Sequence, residues 1–260
     1  MSESTPATVT RSDHGSVAVL TIDDPPTRNA LSAPTLTALT EHLAAIDHDP
    51  PIHASVVTGA GKVFASGANL RELRETSPTD YLTGPRRAAW ERLGGIDKPV
   101  VAAVGGVAFG GGCELALACD LVMAGDDARF GQPEVGLGLI PGAGGTQRWA
   151  RAIGRYAAAR LVLSGEPIDV WQAHELGVVA EVVPREALVA SAVERALSVS
   201  AGAPLAVRFA KRALRLSEDL PVSRALEHER SLLAALLATD DVQEGVAAFL
   251  DRRSPEFQGR

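Results

Sequence analysis

The amino-acid sequence predicts an α/β fold whose C-terminal part is helical. The chain has 260 residues, enough for one large domain or for one domain with an extension. Its first half alternates strand-like apolar runs with segments of helical periodicity, as layered α/β proteins do. After about residue 143 the pattern becomes almost wholly helical. We therefore predict an α/β core over residues 1–190 and a helical region over residues 191–260, which packs on the core or on a neighbouring subunit.

Runs of β-branched and small residues predict the core strands, at 16–22, 54–58, 99–104 and 120–124. Apolar residues at helical spacing, or a glycine turn before an apolar run, predict the helices between them, at 34–46, 69–75 and 111–118. Asn69 is expected to cap the second of these helices, with Glu72 three residues on. Pro204 and Pro221 fall where later helices should begin.

Composition and charge exclude some classes of function. The formal net charge is −7 and aromatic residues make up only 4% of the chain. Both values disfavour nucleic-acid binding, which needs phosphate neutralisation and often base stacking. Cys113 and Cys119 are predicted to be buried free thiols in a reducing compartment. Because the first fifteen residues are polar and resemble no signal peptide, we expect a cytoplasmic protein.

One apolar segment could be mistaken for a membrane span. Residues 99–119 carry a single charge, Glu114. Five glycines, an initial proline and a carboxylate in the middle are all unfavourable in a membrane helix. The segment is better interpreted as a buried strand, a glycine turn and a buried helix, so no membrane association is expected.

The same segment contains the first candidate catalytic residue. In residues 104–115, VGGVAFGGGCEL, three consecutive glycines precede the predicted helix. Backbone N–H groups at such a helix start face outwards and can hold an oxyanion. Glu114 lies three residues after Gly111 amid apolar neighbours, where an unpaired carboxylate is costly unless it has a task. The alternative is a solvated glutamate that only complements the helix dipole.

A second isolated glutamate follows twenty residues later. Glu134 stands among glycines and apolar residues, before the glycine-rich run 141–145. Two such glutamates suit paired acid–base work on one water molecule. Other motifs fail on spacing: there is no dinucleotide fingerprint, no complete P-loop and no nucleophile elbow. The histidines and cysteines lack metal-ligand spacing, so neither a metal nor a nicotinamide is expected.

These segments resemble the crotonase, or enoyl-CoA hydratase/isomerase, superfamily. The most specific match comprises VAFGGGCELALACDLVMA (107–124) and FGQPEVGLGLIPGAGGTQR (130–148). Less specific matches lie at 28–31, 64–68, 96–99 and 248–253, so the resemblance covers residues 8 to 258. It implies a crotonase-like spiral of ββα units with a C-terminal helical region. It also implies assembly as a homotrimer or a dimer of trimers.

The resemblance implies a role for each matching residue. Glu114 and Glu134 would hold the catalytic water, and the N–H groups of Ala68 and Gly111 would form the oxyanion hole. An acyl-CoA thioester would be the substrate, so coenzyme A would be part of the substrate and no separate cofactor would be needed. Its binding residues would be Arg28, Ala30, Lys62, Asn69, Leu70, Arg71 and Gly142, with Leu73, Tyr81, Leu82 and Trp90 around the acyl group.

The sequence leaves three functions open. The first is hydration of a trans-2-enoyl-CoA to a 3-hydroxyacyl-CoA. The second is Δ3,Δ2-isomerisation or other CoA-ester chemistry, although such relatives often lack one of the two glutamates. The third is a non-catalytic scaffold or RNA-associated relative. Two positions depart from many relatives: Asn69 stands where they have Asp, and Gly105 where they often have a polar residue.

Overall fold

The computed structural model describes residues 8–260, which form ten strands and twelve α-helices. The strands are β1 (Thr8–His14), β2 (Val17–Asp23), β3 (Ala54–Gly59), β4 (Val63–Ala65), β5 (Val100–Val104), β6 (Val107–Phe109), β7 (Leu121–Gly125), β8 (Arg129–Gly131), β9 (Ile168–Asp169) and β10 (Glu181–Val183). The helices are α1 (Ala33–Asp47), α2 (Leu70–Glu75), α3 (Pro78–Thr83), α4 (Pro85–Gly94), α5 (Gly111–Ala118), α6 (Gly145–Ile153), α7 (Arg155–Ser164), α8 (Val170–Glu175), α9 (Leu188–Ser200), α10 (Pro204–Asp219), α11 (Val222–Leu236) and α12 (Asp240–Asp251). Short 3₁₀ helices span Pro25–Thr27, Pro133–Leu137 and Arg185–Ala187.

Three consecutive turns of the chain repeat one pattern. Each turn places its first strand in a six-stranded sheet of order β1-β2-β3-β5-β7-β10 and its second in a four-stranded sheet of order β4-β6-β8-β9. The turns are β3-β4-α2, β5-β6-α5 and β7-β8, which continues into the 3₁₀ helix Pro133–Leu137. Equivalent strands pair in parallel from one turn to the next. This is the predicted crotonase-like spiral of ββα units.

The large sheet is buried on both faces, which explains its almost continuous apolar strands. Alternate residues of β2 illustrate this: Val17 and Val19 pack towards Leu188 and Ala192 of α9, whereas Leu20 belongs to the main core on the other face. The boundary predicted at residue 190 falls inside α9, which packs directly on the sheet. The division into two regions stays a prediction.

Most predicted elements are present with small shifts at their ends. The predicted segment 99–119 forms β5, β6 and α5. Within residues 8–260, no helix is long and apolar enough to cross a membrane. Strand β1 was not predicted because all of its residues except Val9 are polar. It pairs at the edge of the large sheet. The strands of the small sheet are only two or three residues long, too short for a periodicity to show.

Candidate active site

A cavity of about 720 Å³ opens where α2, α4 and α5 meet the 3₁₀ helix after β8. Most of the residues predicted from the sequence line this cavity: Ala30, Ala68, Asn69, Leu70, Arg71, Gly111, Glu114, Glu134 and Gly142. Of the acyl-pocket candidates, Leu73, Tyr81 and Trp90 line it and Leu82 does not. Arg28 and Lys62 are exposed and lie outside its lining.

Glu114 is fixed by the first turn of α5. Its side chain is buried, with 3% of the residue exposed. One carboxylate oxygen, Oε1, accepts hydrogen bonds from the backbone N–H groups of Ala143 (2.7 Å) and Gly145 (2.8 Å). The glycine-rich run that begins α6 therefore holds this carboxylate in place. Burial raises the pKa of the Glu114 carboxyl, and these two hydrogen bonds oppose the rise.

Glu134 reaches the same cavity from the 3₁₀ helix Pro133–Leu137. Its carboxyl group lies against Gly110, where a β-carbon would come within 3.0 Å of Oε1. Burial raises the pKa of the Glu134 carboxyl to about 7; its own backbone N–H opposes the rise and the charge of Glu114 adds to it. Near neutral pH this carboxyl can therefore donate as well as accept a proton.

Two residues with free backbone N–H groups, Ala68 and Gly111, line the same cavity as the glutamates. A β-carbon built on Gly111 would lie 3.4 Å from the Ala68 nitrogen, so the two residues are close together. Ala68 is held by a parallel bridge to Leu31, whose N–H donates to Gly67 O and whose carbonyl accepts from Asn69. Among residues 8–260, neither the Ala68 N–H nor the Gly111 N–H donates to a protein acceptor. The arrangement can hold a carbonyl oxygen that becomes negative.

The predicted helix cap is confirmed. The Asn69 side chain accepts from the backbone N–H groups of Arg71 (3.1 Å) and Glu72 (3.3 Å) at the start of α2. Asparagine therefore caps this helix without a formal charge beside the cavity. The second departure also has a structural reason, because the guanidinium of Arg185 occupies the space that a side chain at Gly105 would need.

The sequence did not indicate several residues that line the cavity. Arg86 enters from α4, and the apolar residues Leu137, Leu139 and Ile140 line the side next to Glu134. Glu72 was named only for its capping spacing, yet it also lines the cavity. No motif signals Arg86, because it sits in the ordinary charged helix sequence PRRAAWERLG. In the described part of the chain, no group of three or more His, Cys, Asp or Glu residues could hold a metal ion.

The ββα spiral, with its cavity at the N-terminal end of α5, defines a crotonase-type protein. The family model described as "Enoyl-CoA hydratase/isomerase" matches residues 12–260. The chain belongs to this family and is an enzyme of its hydratase class.

Relatives and solved structures agree with this assignment. The chain is 44% identical to the 2,3-dehydroadipyl-CoA hydratase of Escherichia coli, over 94% of this chain and 96% of that one. It is 37% identical to the short-chain-enoyl-CoA hydratase of Clostridium acetobutylicum, over 95% and 96%. The crystal structure of an enoyl-CoA hydratase from Bacillus anthracis superposes with a TM-score of 0.91 at 33% identity, covering 97% of this chain and 99% of that one.

Proposed function

We propose that this enzyme adds water across the double bond of a trans-2-enoyl-CoA, giving the 3-hydroxyacyl-CoA, and that Glu114 and Glu134 carry out the proton transfers. The observation that supports this most is the presence of two glutamates in one cavity with different surroundings. Burial raises the pKa of both carboxyls, but two backbone hydrogen bonds oppose the rise at Glu114, whereas the pKa of Glu134 reaches about 7. One group can act as the base and the other as the acid.

In the proposed step, Glu114 accepts a proton from water as the water oxygen bonds to the β-carbon. The electron pair of the double bond moves towards the thioester carbonyl, and the negative charge develops on its oxygen. The N–H groups of Ala68 and Gly111 stabilise that charge. Glu134 then donates its proton to the α-carbon, which completes the product. Transfer of a proton from Glu114 to Glu134 through solvent restores the starting state.

The proposal also covers the coenzyme A part of the substrate. We propose that coenzyme A lies along Arg28 and Ala30, with Lys62 near one of its phosphates. Asn69, Leu70 and Arg71 would lie beside the pantetheine arm, and Gly142 at the reacting end. The location of Ala30, residues 69–71 and Gly142 in the cavity lining supports this. Coenzyme A is then part of the substrate, and the proposal requires no metal or nicotinamide.

An assay of the wild-type enzyme tests this function against isomerisation. Crotonyl-CoA should be hydrated to 3-hydroxybutyryl-CoA, with loss of the conjugated enoyl absorbance. A 3-enoyl-CoA should be converted to the 2-enoyl-CoA far more slowly, because migration of the double bond consumes no water and needs only one carboxylate. Rapid migration with little hydration would contradict the hydratase assignment and favour the isomerase.

We also propose that several copies of the chain assemble, as a trimer or as a dimer of trimers. Helices α11 and α12 leave large apolar side chains exposed, including Leu233 at 57% and Phe249 at 84%. Exposed apolar surface of this kind is usually covered by a partner. Light scattering at micromolar concentration should give a mass three or six times 27.1 kDa; a stable monomer would contradict the proposal.

A cytoplasmic location is part of the same proposal. Cys113 and Cys119 are both free thiols, and burial raises the pKa of the Cys119 thiol to about 12. Free thiols of this kind are typical of proteins in reducing compartments.

A further inference from the structure

Arg86 is an unusual residue in the lining of this cavity. It is the second residue of α4, and its side chain is only 13% exposed. Large apolar side chains line the cavity around it, among them Leu73, Trp90 and Leu139. A partly buried cation loses hydration, so its position calls for a compensating anion or hydrogen-bond acceptor.

The contacts of Arg86 within the protein use one end of its guanidinium. Nη2 donates to the carbonyl of Leu31 at 2.6 Å and lies 3.8 Å from a carboxylate oxygen of Glu72. Within residues 8–260, Nε and Nη1 donate to no protein acceptor. In the described residues, every fully buried polar side-chain atom has a hydrogen-bond partner. Nε and Nη1 of Arg86 have no such partner in this part of the chain, so they are not fully buried and remain accessible.

Glu72 compensates only part of this charge. Both of its carboxylate oxygens accept the backbone N–H of Ala33, at 2.9 and 3.1 Å, at the start of α1. The carboxylate therefore also balances the positive end of that helix. The charge of Arg86 acts on the cavity as well, because it opposes the rise in pKa of both Glu114 and Tyr81.

We propose that Arg86 binds a carboxylate at the far end of the acyl chain, so that the preferred substrates are short 2-enoyl-CoA esters that end in a carboxylate. This inference rests on the proposed hydratase function and specifies its substrate class. The contact of Nη2 with Leu31 fixes the guanidinium and leaves the N–H groups of Nε and Nη1 without a protein acceptor among the described residues. Each of them can donate a charge-assisted hydrogen bond to a carboxylate oxygen.

The same contact limits the length of the acyl chain. The Leu31 carbonyl also accepts from the Asn69 N–H, and Asn69 directly follows Ala68 of the oxyanion hole. Arg86 is therefore anchored close to the site proposed for the thioester. Only a short acyl group would place its terminal carboxylate at that distance, and a long one would pass beyond it.

A structural role for Arg86 is the competing explanation. Through Leu31 it could simply hold the segment that carries the Ala68 N–H. In that case its loss would slow the hydration of every substrate to the same extent. Carboxylate binding instead predicts a loss confined to substrates with a terminal carboxylate, so paired substrates separate the two roles.

The experiment compares 2-hexenoyl-CoA with 2-hexenedioyl-CoA, which differ only in the terminal carboxylate. Wild type should show a kcat/KM at least about tenfold higher for the dicarboxyl substrate. Arg86→Met should lower that value on the order of 10²-fold, since it removes one partner of a partly buried charge pair. The value for 2-hexenoyl-CoA should change by less than about threefold. Arg86→Lys, which keeps the charge, should retain a measurable preference for the dicarboxyl substrate.

Arg87→Met is the matched control. Arg87 is the next residue of α4, is exposed, and pairs with Glu91 at 2.7 Å. The substitution removes the same charge from the same helix, but Arg87 does not line the cavity. Arg87→Met should therefore leave both kcat/KM values unchanged. This control separates binding by Arg86 from a general effect of net charge.

Three other results would contradict either the carboxylate proposal or the proposed hydratase function. If wild type hydrates 2-hexenoyl-CoA as well as the dicarboxyl substrate, the carboxylate proposal is wrong and the hydratase function stands. If Arg86→Met slows both substrates equally, Arg86 is a positioning residue and the proposal is also wrong. If wild type hydrates neither of these nor crotonyl-CoA, the proposed function itself fails.

Discussion

The two glutamates of the cavity have the same chemical group but very different supports. Glu114 stands on α5, whose first residues are fully buried, and a glycine-rich loop donates two backbone hydrogen bonds to it. Glu134 stands on a short 3₁₀ helix without a single buried residue, beside exposed side chains such as Leu137 and Ile140. In the proposed mechanism these different surroundings are the reason why Glu114 accepts a proton and Glu134 donates one.

The largest expected effect comes from removing either carboxylate. Glu114→Gln and Glu134→Gln should each lower kcat for crotonyl-CoA hydration by at least about 10², because one proton transfer then lacks its acid or base. Both variants should still bind acyl-CoA, since the backbone N–H groups are unchanged. Steady-state kinetics with a separate binding measurement checks this. Glu194→Gln, on the exposed side of α9, is the control. Near-wild-type hydration by either active-site variant would remove that glutamate from the mechanism.

The difference in rigidity between the two supports can be tested with matched glycine substitutions. A β-carbon at Gly112, two residues before Glu114, would collide with the backbone oxygen of Ala65. Gly112→Ala should therefore destabilise the protein by roughly 1–3 kcal/mol. At Gly136, two residues after Glu134 on the 3₁₀ helix, an added β-carbon meets no atom within 4 Å, so Gly136→Ala should change stability little. Thermal or urea unfolding of both variants measures this, and equal losses would mean that the two supports do not differ in packing.

The pH dependence of catalysis tests the assignment of acid and base. The folded-state pKa of Glu134 is raised to about 7, so the protonated form that donates is present below that pH. It is lost as the pH rises through 7. The kcat/KM for crotonyl-CoA should therefore fall about tenfold per pH unit on the alkaline side, and the profile of Glu134→Gln should lack this limb. A wild-type profile that instead rises through pH 7 to a plateau would assign the base role to Glu134.

The two candidate glutamates stand out in the sequence because their surroundings are local, whereas Ala68 and Gly111 follow from the family resemblance. Glu114 and Glu134 are isolated carboxylates among glycines and apolar residues, and Asn69 has the spacing of a helix cap. The burial of β3 and β5 is equally visible, because whole runs of β-branched and small residues form these strands. Here local composition and tertiary environment agree.

Other features depend on contacts between distant segments, and the sequence does not show them. Arg86 reaches the cavity only because α4 packs against α1 and so brings its guanidinium to Leu31. The very short strands β4, β6 and β8 exist because the spiral aligns them with one another. Leu137 and Ile140 line the cavity, although their apolar character alone would place them in the core.

The exchange of α-protons of a saturated acyl-CoA in D₂O tests most directly which glutamate serves the α-carbon. This exchange needs the carboxyl group that serves the α-carbon and the oxyanion N–H groups, but no water addition at the β-carbon. Incubation of butyryl-CoA with each variant, followed by NMR, measures it. We expect Glu114→Gln to keep exchange within about tenfold of wild type, whereas Glu134→Gln should lose at least about 10². The opposite pattern, with exchange lost only in Glu114→Gln, would contradict the roles assigned to the two glutamates.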